Sequence, residues 1–377
     1  MKFEKENSIQ KKNILFFFVH PSKFHVFRKT INALKANGHN IDVVITSKDV
    51  LENLVKGEGW EYTNIFPEGR KMKNVSPYIS SAINLVKTIY LLFKYTKGKK
   101  YDLFVTDDLL VYVGKLKGIP SIVFCDDDLA VVKQFFIILS MCDYCLAPKV
   151  TNLGKYNDRK IGFDSYKELA YLHPNHFSPD EKIIQSFKGS YEKYFIVRLV
   201  SLRSYHDVGI TGIDYNKAIR LVNLLSKYGK VYISAERPLE EELEPYRIHI
   251  PANDFKHVLS GAYLYVGDSQ TMSSEAAVLG VPSYRINDFV GKISIMEEKD
   301  KNYGLSKSFR TNQFDELIEN LELCLQNDLF KTEMQERRKK MLCEKIDLTK
   351  FMIWFFENFP KSAELILKDK DYQYKFR

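Results

Sequence analysis

The chain predicts an α/β protein built from two Rossmann-like domains, and three observations carry that expectation. Short apolar strands alternate with helical periodicity along most of the length, punctuated by Gly, Pro and Asp. The alternation begins twice, at the apolar run 14–19 and at the strand-like stretch 194–200. A chain of 377 residues also exceeds one ordinary core, so two domains of about 150–180 residues are the default. The expected division is a polar leader 1–12, an N-terminal domain 13–178, a C-terminal domain 179–345, and an aromatic helix with tail 346–377.

Composition narrows the class. With 45% hydrophobic and 28% charged residues the chain is globular, neither disordered nor a membrane bundle. Its net charge of +8 suits nucleic acid, anionic lipid or phosphorylated substrates alike. Lysines scattered rather than grouped with exposed aromatics argue against nucleic acid. The five cysteines are odd in number and scattered, which fits reduced thiols in the cytoplasm. Cys142 and Cys145 have redox-motif spacing, but no second pair completes a zinc site, and buried structural thiols are expected. The run 14–19 is too short for a signal core or a span.

In chain order, 13–19 reads as a buried parallel strand, 26–36 as a helix stopped by Gly38, and 41–46 as the next strand. The loop between strand and helix carries His20 and His25. It opens at the C-terminal edge of the sheet, where ligands bind, so both are rim candidates beside the plainer reading of solvated histidines. A helix at 50–58 and a strand at 62–66 follow. Residues 75–95 form a long helix whose Ile83, Val86, Ile89, Tyr90 and Phe93 share an apolar face. That face covers the sheet or, flanked by lysines, lies on anionic lipid; the first reading is favoured. Strands at 101–107 and 118–124 end in Asp107-Asp108 and Asp126-Asp127-Asp128. These carboxylates suit work at the sheet's mouth, a divalent cation, or capping of a helix at 129–139. The last strand of this half is 142–147, and 149–178 is the crossover.

The second domain opens with the strand 193–200. Its loop, 201–212, gathers Arg203, His206 and Asp207 next to Arg198. Arginine suits a diphosphate through its forked donors, and His beside Asp suits an oriented proton shuttle. Helices are expected at 214–228, 254–260, 314–325, 329–344 and 348–358, strands at 230–234, 247–251, 263–266 and 282–286, and a fraying tail last.

The most informative stretch is 263–282. Gly267 breaks a strand, Asp268 to Ser274 offer helix-capping residues, and Gly280 with Pro282 keeps the helix short. Such a corner aims unpaired N–H groups and a positive dipole end at whatever lies above it, and phosphate is the natural guest. Glu275, early in the helix, suits a sugar diol.

Two βα domains with this late corner resemble the GT-B architecture of nucleotide-sugar glycosyltransferases and non-hydrolysing UDP-N-acetylglucosamine 2-epimerases. More narrowly, the chain resembles a bacterial and archaeal family described as domain of unknown function 354. The matching residues are Lys167-Glu-Leu-Ala-Tyr-Leu172 with Phe177-Ser-Pro-Asp180, Tyr194-Phe-Ile-Val-Arg198 with His206, and above all 268–282. The resemblance implies two domains facing each other across a cleft, the C-terminal helix crossing back to the first. It implies Gly267, Ser269, Thr271 and Ser274 as phosphate-side donors, Glu275 as ribose ligand, and Arg198 and Arg203 steadying the diphosphate. One departure stands out: relatives place a second glycine after Gly267, whereas Asp268-Ser269 follows here. A carboxylate at a phosphate turn is unhelpful unless it caps the helix or faces away.

The expected function is transfer of a sugar from a nucleotide-sugar, UDP-linked, to a polysaccharide or lipid-linked acceptor in cell-surface synthesis. The setting is cytoplasmic, with peripheral contact at the inner face of the membrane. No cofactor, metal or nucleic acid is expected. His20, His25, Asp107 and Asp126 stand as alternative general bases. Epimerisation using His206 and Asp207, and binding without catalysis, remain open alternatives.

Overall fold

The computed structural model describes residues 10–48, 50–70, 76–200, 212–251 and 253–377. It divides into two compact units, one of residues 1–171 with 346–377, the other of 172–345. The compact units part at Tyr171, where the sequence pattern put the boundary after residue 178.

The first unit is a seven-stranded parallel sheet: β1 (Asn13–Phe18), β2 (Asn40–Ile45), β3 (Thr63–Asn64), β4 (Leu103–Thr106), β5 (Ser121–Phe124), β6 (Tyr144–Pro148) and β7 (Lys160–Phe163). Their order is β3-β2-β1-β4-β5-β6-β7. The chain reverses direction across the sheet between β1 and β4, which pair Phe16 with Val105 and Phe17 with Thr106. β1 sits centrally because its side chains are apolar on both faces, and Ile14 to Phe18 are fully buried. Phe16 meets Phe27 of the helix Pro21–Ala36 at 5.4 Å and Phe356 of the helix Leu348–Glu357 at 5.8 Å. Each such buried ring contributes about 1.5–3 kcal/mol. That packing explains why residues 346–377 return to this unit.

The second unit holds a five-stranded parallel sheet: β8 (Tyr194–Leu199), β9 (Lys230–Ala235), β10 (Leu264–Gly267), β11 (Ser283–Ile286) and β12 (Ser306–Phe309), in the order β12-β11-β10-β8-β9. Its direction reverses between β8 and β10. Phe195, Val197, Leu264 and Val266 meet Leu221, Leu225, Leu317 and Leu321 in one core cluster.

Several local expectations are corrected. β7 extends the first sheet one strand past 142–147, inside the segment read as crossover. No helix spans 129–139; a 3-10 turn, Lys133–Phe135, and a four-residue helix, Phe136–Leu139, take its place. The strand expected at 247–251 is one bridge, Arg247 to Ile233. β12 and the helices Ser294–Lys301 and Lys361–Lys368 were unforeseen. The tail does not fray. Gln373 is buried, its amide donating to Gly162 O at 3.1 Å and accepting from Asp164 N at 2.6 Å. The long helix, Pro77–Tyr95, buries Thr88 and Leu92 and packs Ile89 on the core, but turns Ile83, Val86, Tyr90 and Phe93 of the expected sheet-covering face outward together with Ile79.

Candidate functional site

In the second unit, the corner after β10 falls at the switch point of the sheet, where ligands of doubly wound proteins bind. Gly267, the last residue of β10, pairs with Arg198 of β8 and Arg285 of β11. A Cβ there would lie 2.7 Å from Arg198 Cβ and 2.8 Å from the Tyr265 hydroxyl, so the glycine is demanded by strand packing. Ser269 caps the ten-residue helix Gln270–Leu279, accepting from Met272 N at 3.4 Å. Thr271 is exposed in the first turn. Ser274 and Glu275 are buried, and the Ser274 hydroxyl has no hydrogen-bond partner among the described residues.

Asp268 answers the departure noted in the sequence. Its carboxylate accepts from Val200 N at 2.8 Å and Ile213 N at 3.2 Å, tying the residue after β8 to one just before the helix Tyr215–Leu225. Burial pushes its pKa up to about 6, against the pull of those N–H groups and Arg198. The carboxylate oxygens are thus committed to the backbone. Arg198 donates to Ser234 Oγ at 2.7 Å and pairs with Glu236, so its charge is already shared. Arg203 and His206 lie outside the described residues. Arg285, which the sequence reading passed over, is fully buried beside Gly267. Burial lowers its pKa to about 10, with Glu297 and Asp300 opposing. A groove of about 450 Å³ lined by Ser283, Lys307 and Arg337 opens at the other edge of this sheet, by the starts of β11 and β12.

In the first unit, a charged cluster sits at the C-terminal edge where β1 and β4 diverge. Lys23 Nζ lies 2.8 Å from one Asp126 oxygen and Lys167 Nζ 2.5 Å from the other. Burial works against the Asp126 charge, but Lys167 and Lys23 overcome it and hold the carboxyl far below its ordinary range. Lys23 and Lys167 stay protonated for the same reason: burial opposes, and Asp126 wins. So held, Asp126 is a counterion and a poor base. Asp107 is different. Burial raises its pKa to about 6, Lys23 opposing, and its Oδ1 has no hydrogen-bond partner among the described residues.

His20 caps the helix Pro21–Ala36, accepting from Ser22 N at 3.2 Å through Nδ1. Its ring keeps solvent contact yet is surrounded by protein. Desolvation, then Lys48, Lys23 and Lys167, press its pKa down, leaving the imidazole neutral at pH 7. His25 packs edge-on to Phe24 and tilted against Tyr171, both at 5.5 Å between ring centres. Asp128 accepts from Asn152 N at 2.8 Å, ordering a loop in place of the helix expected after it. No group of three or more His, Cys, Asp or Glu among the described residues is arranged to hold a metal. Cys142 and Cys145 are buried in the apolar cluster under β5 and β6, and burial pushes the Cys142 thiol up to about 12. The lysines escaped the sequence reading; Lys23 stood unremarked in the first loop and Lys167 opened a family motif.

Two parallel-sheet Rossmann-like units in these strand orders define a protein of the GT-B fold class. The chain belongs to the family described as protein of unknown function (DUF354), whose family model matches residues 17–358. No curated protein matches it by sequence. Its structure is similar to the UDP-GlcNAc 2-epimerase from Neisseria meningitidis bound to UDP-GlcNAc, with a TM-score of 0.63, 14% identity, and 91% of this chain and 99% of that chain covered. It is also similar to Acinetobacter baumannii MurG (TM-score 0.56, 14% identity, 92% and 100% covered). The calicheamicin glycosyltransferase CalG4 matches with a TM-score of 0.54 at 13% identity, 93% and 100% covered. At such identities the likeness shows the fold.

Proposed function

We propose that the protein binds a nucleotide-sugar, UDP-linked, at the 267–275 corner and transfers the sugar in cytoplasmic synthesis of a cell-surface polysaccharide or glycolipid. The observation that carries this reading is a capped ten-residue helix starting at the switch point, with the adjacent carboxylate committed to backbone amides. The free N–H groups of the first turn and the helix dipole stabilise the departing diphosphate. Glu275 holds the ribose hydroxyls. Asp107 takes the acceptor's proton, since a carboxyl titrating at about 6 is ionised at pH 7 yet still basic. Epimerisation of a UDP-N-acetylhexosamine is the second reading, favoured by the same Asp107, which can abstract a proton without an acceptor.

Titration calorimetry with UDP and UDP-sugars tests the site. Wild type binds, and Glu275→Ala loses a charge-assisted hydrogen bond worth about 1.5–3 kcal/mol, roughly tenfold to a hundredfold in affinity. Equal binding by the variant removes Glu275 from the site. Incubation with UDP-N-acetylhexosamine alone separates the two chemistries: a new epimer means isomerisation.

A further inference from the structure

The helix Pro77–Tyr95 presents an apolar stripe to solvent. Ile79 is 56% exposed, Val86 66% and Tyr90 62%, with Ile83 and Phe93 beside them. The spacing runs by fours and threes, so all five side chains share one face over about 21 Å of helix. Leu116, on the neighbouring helix Leu110–Lys117, is 71% exposed, and the adjacent Lys117 ammonium sits 4.9 Å from the Phe93 ring centre. Isolated exposed apolar residues are ordinary, but a contiguous row of this size marks an interaction surface.

Charge decides the occupant. Residues 76–101 contain Lys87, Lys94, Lys97, Lys99 and Lys100 and no Asp or Glu, and Lys117 reaches the same helix, donating to Thr96 O at 2.7 Å. Lys99 is taken by Asp42 at 3.1 Å. A second copy docking through this stripe would bring its own Lys87, Lys94 and Lys97 against these, and the helix itself carries no acid to pair with them. An anionic bilayer supplies both an apolar interior for the stripe and negative headgroups for the lysines. Among the described residues no helix is long and apolar enough to cross a membrane, so the element lies along the surface.

We infer that the 77–95 helix seats the first unit on an anionic lipid bilayer, its apolar stripe entering the headgroup boundary. The inference rests on this surface alone and stands independently of the nucleotide-sugar reading. Co-sedimentation of the full chain tests it, using vesicles of phosphatidylcholine alone and vesicles rich in phosphatidylglycerol. Wild type pellets with the second, less as salt rises. The pair Val86→Asp and Tyr90→Asp lowers partitioning by about tenfold or more, because two apolar anchors become anions. The pair Lys94→Glu and Lys97→Glu abolishes the preference for phosphatidylglycerol, and its thermal melt matches wild type because both side chains are exposed. Wild type remaining in the supernatant with both vesicles overturns the inference. So does undiminished binding by both paired variants, or a wild-type dimer that the Val86 and Tyr90 changes split into monomers.

Discussion

Replacing Asp126 with Asn keeps its shape and removes the charge that two buried ammonium groups share. Lys23 and Lys167 approach its two oxygens at 2.8 and 2.5 Å, and no side chain of the three is more than 13% exposed. Removing one partner of a buried ion pair destabilises by about 3–5 kcal/mol, because the remaining charge is uncompensated. Here one deletion strands two cations, which places the loss in the upper part of that range. In a folding unit of roughly 150–250 residues each kcal/mol moves Tm by about 2–4 °C, so the first unit's transition drops by roughly 8–20 °C. Scanning calorimetry reads it directly. Adding Lys167→Met to Asp126→Asn restores part of the loss, since contacting residues couple by about 0.5–3 kcal/mol. The pH dependence follows from the sign of the shift. Asp126 has a folded-state pKa below its ordinary 3.8, so its stabilisation is complete above that value and disappears as pH falls through the folded-state value. The gap between wild type and Asp126→Asn therefore persists across mildly acidic and neutral pH and closes only in strong acid. A gap below about 2 °C, less than 1 kcal/mol, refutes the reasoning; so does a gap that closes between pH 5 and 8.

Gly267→Ala puts a Cβ 2.7 Å from Arg198 Cβ and O, and overpacking of that kind destabilises by about 1–3 kcal/mol, measured as the denaturant midpoint. Asp268 has a folded-state pKa of about 6 against an ordinary 3.8. Its ionisation therefore opposes folding, and stability on its account falls as pH rises from about 4 to 6. The Tm of Asp268→Asn relative to wild type accordingly climbs across that window; a flat difference contradicts the assigned shift. With Asp107 as base, the rate of sugar transfer rises with pH through about 6. Asp107→Asn removes that limb, and an unchanged pH–rate profile transfers the role elsewhere.

Much of the fold was legible because its signals are local. Short runs rich in aromatic and β-branched residues and bounded by turn signals favour buried strands, which put β1 at residues 13–19 and β8 at 193–200. Gly280 and Pro282 set the end of the helix after Gly267, observed at Leu279, while its start at Gln270 falls inside the capping stretch 268–274 that left it open. Where the local signal was weak the reading failed: β7 and β12 are four residues each and carry Lys, Gly and Ser. The apolar run through 129–139 looks helical, but Asp128 spends its side chain on Asn152 and the segment turns instead.

The amphipathic period of residues 77–95 was plain in the sequence, yet periodicity names a face without saying what covers it. The structure buries the opposite side and leaves the apolar stripe to solvent. The charged cluster was equally invisible, since Lys23 and Asp126 stand 103 positions apart and meet only because β1 and β5 belong to one sheet. Asp268 looked like an obstacle to phosphate, and became a staple once Val200 and Ile213 were seen to reach it from 68 and 55 positions away. Strand and helix placement depends on neighbours within a turn or two of chain, which the sequence by itself determines. The charge state, exposure and partners of a side chain depend on which distant segments return to the same sheet edge, and only the tertiary structure decides that.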